Sequence, residues 1–194
     1  MAQKPNRRDD VKNAALLILE RDGAQGLRTA AIAREVGFSE AALYCYFPGK
    51  DAILEFILDE RLAVTRGNRL AVDALGLPPL DSVLALFARH MEFMEKNPGL
   101  YRVIYSDELH RGSPALMKKL RRVSREHLDA VCAYTRAAHR AGQLRPDVDP
   151  DSLGMALMGA VHSAFAARTV IGKRKKMSAM GADMLRLILR GATA

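Results

Sequence analysis

Tryptophan is absent from this chain of 194 residues, cysteine occurs twice, and aromatic residues make up only 6%. Cys45 and Cys132 stand far apart and form no CxxC pair, which argues against a disulfide framework or a cysteine zinc site. No apolar run approaches the ~18 residues of a membrane span. The polar, basic stretch Met1 to Arg8 lacks the apolar core of a secretory signal. A cytoplasmic protein with no membrane partner is therefore expected. Glu-x-x-His, HExxH, GxGxxG and GxxxxGK[ST] are all missing, so the usual signals of a helical di-iron, zinc, dinucleotide or phosphate-loop enzyme are not there. Asp107 and His110 have a spacing that suits a metal or an acid–base pair, but nothing gathers around them in sequence. No catalytic residue, metal or cofactor is predicted.

What is there is helical. Hydrophobic residues at 49% and charged ones at 27% suit an ordinary globular chain with a substantial core. Every strong apolar periodicity follows the helical repeat, and no alternating strand pattern stands out. The punctuation predicts about nine helices. The first runs from Arg7 to Arg21 and ends at Gly23; two short ones follow between Thr29 and Phe47; a fourth spans Lys50 to about Ala74. The fifth is capped by Asp81 or Ser82 and reaches Lys96. The sixth covers Leu100 to Leu109. The seventh starts at Ser113-Pro114 and ends at Gly142, the eighth runs from Asp149-Pro150 to Ile171, and the ninth is capped by Ser178.

Net charge is +8, but residues 1–70 carry +1, residues 71–99 carry −2 and residues 100–194 carry +9. The bulk charge therefore does not mark a nucleic-acid site. Position does. Lys4, Arg7, Arg8 and Lys12 fall in the amino-terminal arm and first helix, and Lys50 follows the third helix, while Asp51, Glu55, Asp59 and Glu60 lie further along the fourth. Lys118, Lys119, Arg121, Arg122 and Arg125 crowd the seventh helix, and Lys173 to Lys176 form a basic run; both read most simply as solvated surface.

The densest information lies between Thr29 and Lys50. Thr29 can cap a helix whose inner face is Ile32, Ala33 and Val36. Gly37 can adopt the left-handed conformation that ends it. Ser39 can cap a second helix that turns Leu43, Tyr46 and Phe47 inward, and Pro48-Gly49 stops it. Ala33 leaves room for two helices to cross closely. This is the plan of a helix-turn-helix whose second helix enters the major groove.

The run Leu43-Tyr44-Cys45-Tyr46-Phe47-Pro48-Gly49-Lys50-Asp51-Ala52-Ile53-Leu54 resembles the signature of the tetracycline-repressor (TetR) family, with close matching over residues 11 to 57. The resemblance implies an all-α fold: an N-terminal three-helix DNA-binding domain over residues 1–52 and a helical effector-binding and dimerisation domain over residues 53–194. It further implies a homodimeric regulator, most often a repressor, released from a palindromic operator by a small-molecule effector. It aligns Glu40, Ala41, Ala42, Cys45 and Tyr46 with positions near bases or backbone, and Thr29, Tyr44 and Lys50 with phosphate-holding positions. Arg28 and Ser39 flank these positions as further candidates. For Thr29 and Ser39, capping alone is a sufficient role. No Arg, Asn or Gln stands in the reading helix. Glu40 toward cytosine, and Ala41 or Ala42 toward thymine methyls, are the direct contacts on offer, with DNA shape carrying more.

Small residues crowd the eighth helix (Gly154, Ala156, Gly159, Ala160, Ser163, Ala164), which permits close helix approach either within the chain or between two copies; the resemblance favours a dimer bundle from helices eight and nine. For the effector, His90, Met91 and Met94 of helix five, Tyr105 of six, His127 of seven, and Met158 and His162 of eight are candidates, since small-molecule sites are mostly apolar with a few polar groups. Met155 lies on the same helix as the last two. Plain core packing is the commoner explanation of such stripes, and satisfied core or surface groups the commoner role of such histidines. A non-catalytic protein adaptor and an enzyme are the competing classes, separated from a regulator by DNA binding on one side and turnover on the other.

Overall fold

The computed structural model describes residues 6–104, 113–172 and 174–193. Lys4, Tyr105, Asp107, His110 and Lys173, singled out above, lie outside them. The described residues form nine helices: α1 (Arg7–Gly26), α2 (Thr29–Val36), α3 (Glu40–Tyr44), α4 (Lys50–Asp73), α5 (Pro79–Lys96), α6 (Pro98–Ile104), α7 (Pro114–Arg140), α8 (Pro150–Thr169) and α9 (Met177–Ala192). The all-α reading holds: among the described residues the only extended pairing is an isolated bridge between Leu144 and Thr193. None of the described helices is long and apolar enough to cross a membrane.

The chain divides into two compact units, one of Met1–Ala63 with Lys96–Val123, the other of Val64–Glu95 with Ser124–Ala194. The divisions fall inside α4, before the last residue of α5, and inside α7. In the first unit, Val11, Ala15, Ile18 and Leu19 form the inner stripe of α1, with Ile32 and Ala33 of α2, Leu43 of α3, and Ile53, Leu54, Ile57 and Leu58 of α4 also buried. α6 packs on α1 at Gly99, where an added Cβ would lie 2.2 Å from the carbonyl oxygen of Leu16; only a hydrogen fits. In the second unit the core comes from Val83, Phe87, Met91 and Met94 of α5, Val131 of α7, Leu153, Leu157 and Val161 of α8, and Leu185 and Leu189 of α9.

Local chemistry explains most helix ends. Ser113 accepts from the amide of Leu116 at 3.3 Å, and Asp149 accepts from that of Ser152 at 2.7 Å with proline at the first position of α8. Two starts and one end differ from expectation. α5 begins at Pro79, two residues before Asp81, because proline's fixed φ suits the first helical position; Ser82 instead donates to the carbonyl of Leu77. α9 begins at Met177, and Ser178 donates through both its amide and its hydroxyl to Glu95 of α5, at 3.0 and 3.1 Å. A carboxylate from another helix thus does the work expected of the serine. α1 continues past Gly23 across a kink, where that glycine takes φ 71°.

Candidate nucleic-acid interface

α2 and α3 expose one surface by burying the other. Gly37 ends α2 at φ 79°, and the amide of Phe38 closes the turn on the carbonyl of Ala33 at 2.8 Å. Ser39 then caps α3 by accepting from the amide of Ala42 at 3.1 Å. Leu43 and Phe47 are buried. Fixed by those two, the helical repeat turns Glu40, Ala41, Tyr44 and Cys45 outward, with Ala42 half-buried. Arg28 and Ser39 are exposed beside them; Thr29 and Lys50 are half-buried.

Two expectations need correction. Tyr46 does not point inward: it is 41% exposed, and its ring stacks on Phe38 with centroids 5.7 Å apart. The cause is the early end of α3 at Tyr44, after which Cys45 and Tyr46 form a turn and only Phe47 continues the inward line from Leu43. Thr29 is not the cap of α2. Arg28 holds that place with an extended backbone and no side-chain bond. The Thr29 hydroxyl donates to Oε1 of Glu40 at 2.6 Å, tying the first turns of α2 and α3 together.

The basic residues of α1 turn out to be partly structural. The Arg8 guanidinium lies over the rings of Phe47 and Phe56, 4.7 and 4.6 Å from their centroids. Arg7 lies over Phe38 at 5.4 Å and pairs with Asp10 at 3.5 Å. Lys12 bonds Asp9 at 3.0 Å and Glu60 at 2.7 Å. Burial works against the Lys12 ammonium, yet the bonds from Glu60 and Asp9 outweigh it and its pKa is raised; the Lys12 bond in turn holds the Asp9 carboxyl below its usual 3.8. Glu55 and Asp59 are occupied by Lys119, at 3.3 and 2.7 Å. Three of the four acids along α4 are thus taken up by bridges to other helices of the unit, so their charge is partly neutralised near the exposed surface.

The candidate effector residues are only partly brought together. His90, Met91, Met94 and His127 are buried in the second unit. The His90 and His127 rings stack at 4.2 Å, and Phe87 meets His127 edge-on at 6.3 Å. Met158 is half-buried, whereas His162 and Met155 are exposed on α8. A cleft of about 300 Å³ opens between α5 and α9, lined by Phe87, Met91, Ser178, Ala182, Leu185 and Arg186 among others. The α9 side was not foreseen. Its one sequence signal is Gly181, where a Cβ would collide with the Met91 methyl.

A family model described as "Bacterial regulatory proteins, tetR family" matches residues 13–57. Over 170 residues the chain is 33% identical to the nucleoid occlusion factor SlmA of Aliivibrio fischeri strain MJ11, covering 84% of each protein. The ketosteroid transcriptional regulator KstR2 of Mycobacterium tuberculosis shares the fold with a TM-score of 0.81 at 17% identity, over 99% of this chain and 97% of that one. The transcriptional regulator FadR of Bacillus subtilis, solved in complex with stearoyl-CoA, does so with a TM-score of 0.79 at 15% identity, over 94% and 98%.

Proposed function

We propose, from the fact that this chain belongs to the tetR family of bacterial regulatory proteins and is a DNA-binding transcriptional regulator, that it is a cytoplasmic homodimeric repressor released from a palindromic operator by a small-molecule effector. Residues 1–52 serve as the DNA-binding domain and residues 53–194 bind effector and dimerise. The observation that carries the reading is the outward surface of α3: Glu40, Ala41, Tyr44 and Cys45 exposed over buried Leu43. On a duplex, Tyr44, Lys50 and Thr29 hold phosphates, and Arg28, Ser39, Glu40, Ala41, Ala42, Cys45 and Tyr46 lie along bases or backbone. Phosphate contacts set the register and base edges set the sequence.

One such helix reads few base pairs; a two-fold dimer doubles the contacts and imposes half-sites ~34–36 Å apart. Support for the dimer comes from α8 and α9. The inward side of α8 uses Leu153, Gly154, Leu157, Ala160, Val161 and Ala164, yet its other side still exposes Met155, Ala156, Gly159 and Ser163, and α9 exposes Leu187. An apolar strip of small residues on adjoining helices suits a second copy. For the effector, the buried histidine pair and the α5–α9 cleft offer mixed apolar and polar surface, and the stearoyl-CoA held by the Bacillus subtilis protein is a precedent for ligand binding on this fold. Two-state coupling of this kind is worth ~1–3 kcal/mol, or ~5–150-fold in operator affinity. The test is a titration of duplex by purified protein with and without a stabilising small molecule. An effector that binds while operator affinity stays unchanged contradicts release.

A second reading is a role in nucleoid occlusion, favoured by the 33% identity to the Aliivibrio fischeri factor. Mapping of bound chromosomal sites separates the two. Binding confined to one or a few promoters supports the operator reading; many sites scattered over the chromosome support the other.

A further inference from the structure

A hydroxyl has a single proton to donate, and that of Thr29 is already committed. Its Oγ1 donates to Oε1 of Glu40 at 2.6 Å, which joins the first residue of α2 to the first residue of α3. Both backbones are fixed where they carry this tie. The amide of Phe38 closes the intervening turn on the carbonyl of Ala33 at 2.8 Å, and Ser39 caps α3 through the amide of Ala42 at 3.1 Å. Thr29 is half-buried and β-branched, with few rotamers open to it, whereas exposed Glu40 would otherwise sample many. A phosphate oxygen accepts hydrogen bonds and gives none, so the Thr29 hydroxyl cannot hold a phosphate while it holds Glu40. The phosphate contact proposed for Thr29 above falls instead to its main-chain amide, at the start of a helix that no side chain caps.

A carboxylate carried into a groove walled by phosphates is repelled unless donors meet it. In the major groove cytosine offers only its N4 amine. Adenine sets an acceptor beside its amine, and guanine and thymine oppose a carboxylate with acceptors alone. The bond from Thr29 engages Oε1 and leaves Oε2 for a base, set in place before the duplex arrives. We propose that Thr29 is a specificity-determining positioning residue: its hydroxyl holds the Glu40 carboxylate in the pose in which Oε2 accepts from cytosine N4. The two side chains together, rather than Glu40 alone, then select C·G at one symmetric pair of operator positions. The inference rests on the base-reading role given to Glu40 above and deepens it. It adds to the determinants of sequence a side chain that touches no base, and it moves the Thr29 hydroxyl from affinity to specificity.

The test uses the full-length protein and duplexes bearing the inverted repeat it selects from a random pool. Repeating the selection with Glu40→Ala locates the pair of positions that this variant relaxes. Matched duplexes then carry C·G or T·A at both copies of that position. The wild type prefers C·G by about tenfold, the span of a good base contact. Thr29→Val removes the hydroxyl and keeps the shape; it cuts the preference by about threefold or more, while its affinity for the T·A duplex stays within about twofold of the wild type. Thr29→Ser, which keeps a hydroxyl, keeps the preference. On the Glu40→Ala background Thr29→Val changes neither duplex by more than about twofold, because no carboxylate is left to position. The preference is a ratio of affinities, so a partly unfolded variant does not alter it. The proposal is overturned if Thr29→Val weakens both duplexes equally, which assigns the hydroxyl to a phosphate or to a structural tie. It is overturned equally if Thr29→Val binds both like the wild type, if its effect persists in full without Glu40, or if the relaxed pair does not favour cytosine. A relaxed C·G pair with an inert Thr29→Val removes Thr29 and leaves Glu40 as a reader. If Glu40→Ala relaxes no pair, or the wild type selects no duplex, the base-reading role itself fails and the proposal falls with it.

Discussion

α3 and α8 each turn one face inward and another outward, but they advertise it differently. In the five residues of α3 a single leucine is buried, and the exposed side chains change character to carboxylate, small and phenolic. In the twenty residues of α8 the inside is Leu153, Leu157 and Val161, while Met155, also apolar, is 58% exposed. A surface made for a charged, hydrated duplex differs from a protein core in its chemistry. A surface made for a second protein copy resembles a core, so only knowledge of which residues are already buried reveals it.

The largest effect follows from removing the inward anchor of α3. Leu43→Ala should cost about 2–5 kcal/mol of stability, read by urea unfolding, and operator binding should fail with the fold. The two faces of α8 are separated by two glycines. Gly159 has nothing within 4 Å of an added Cβ, whereas a Cβ at Gly154 would lie 2.8 Å from the Cys132 sulfur. Gly159→Arg is expected to leave the protomer folded and to weaken dimerisation at least tenfold in sedimentation. Gly154→Val is expected to lower Tm first. A Gly159→Arg protein that stays dimeric would assign the exposed strip to another partner. On α3, Tyr44→Phe and Lys50→Ala should weaken binding of every duplex about threefold to tenfold, and Lys50→Ala should reduce the salt slope by about 1. An unchanged affinity and slope would remove both from the phosphate contacts.

Caps give the smallest contrast. α3 is capped by neutral Ser39 and α8 by the Asp149 carboxylate. Its hydroxyl and amide partners at Ser152 hold Asp149 below its usual 3.8. A carboxyl with a lowered folded pKa contributes stability that is complete above 3.8 and is lost as pH falls through the depressed value. Hydrogen exchange in the first turn of α8 should therefore quicken on acidification below 3.8, and Asp149→Ser should flatten that response. Equal acid sensitivity of the variant and the wild type would contradict the cap's part in it.

The element order was legible because most helix ends are local events: Gly37, Ser39, Ser113 and the Asp149-Pro150 pair each act on amides or carbonyls a few residues away. Thr29 and Ser178 misled because their hydroxyls answer carboxylates from remote segments, Glu40 and Glu95. Tyr46 misled because α3 ends at Tyr44 and the turn that follows leads Tyr46 outward while Phe47 stays buried. The solvent exposure of His162 and the stack of His90 on His127 are tertiary facts. No spacing in the sequence encodes which side of an apolar helix finds a neighbour.

In the proposed function α3 reads duplex DNA twice per assembly. Selection of bound sequences by the purified protein from a random duplex pool tests this directly. The predicted result is an enriched inverted repeat whose half-site centres lie about one helical turn apart, with Glu40→Ala relaxing the preference at a symmetric pair of positions. Enrichment of a single asymmetric site, or none, would contradict it.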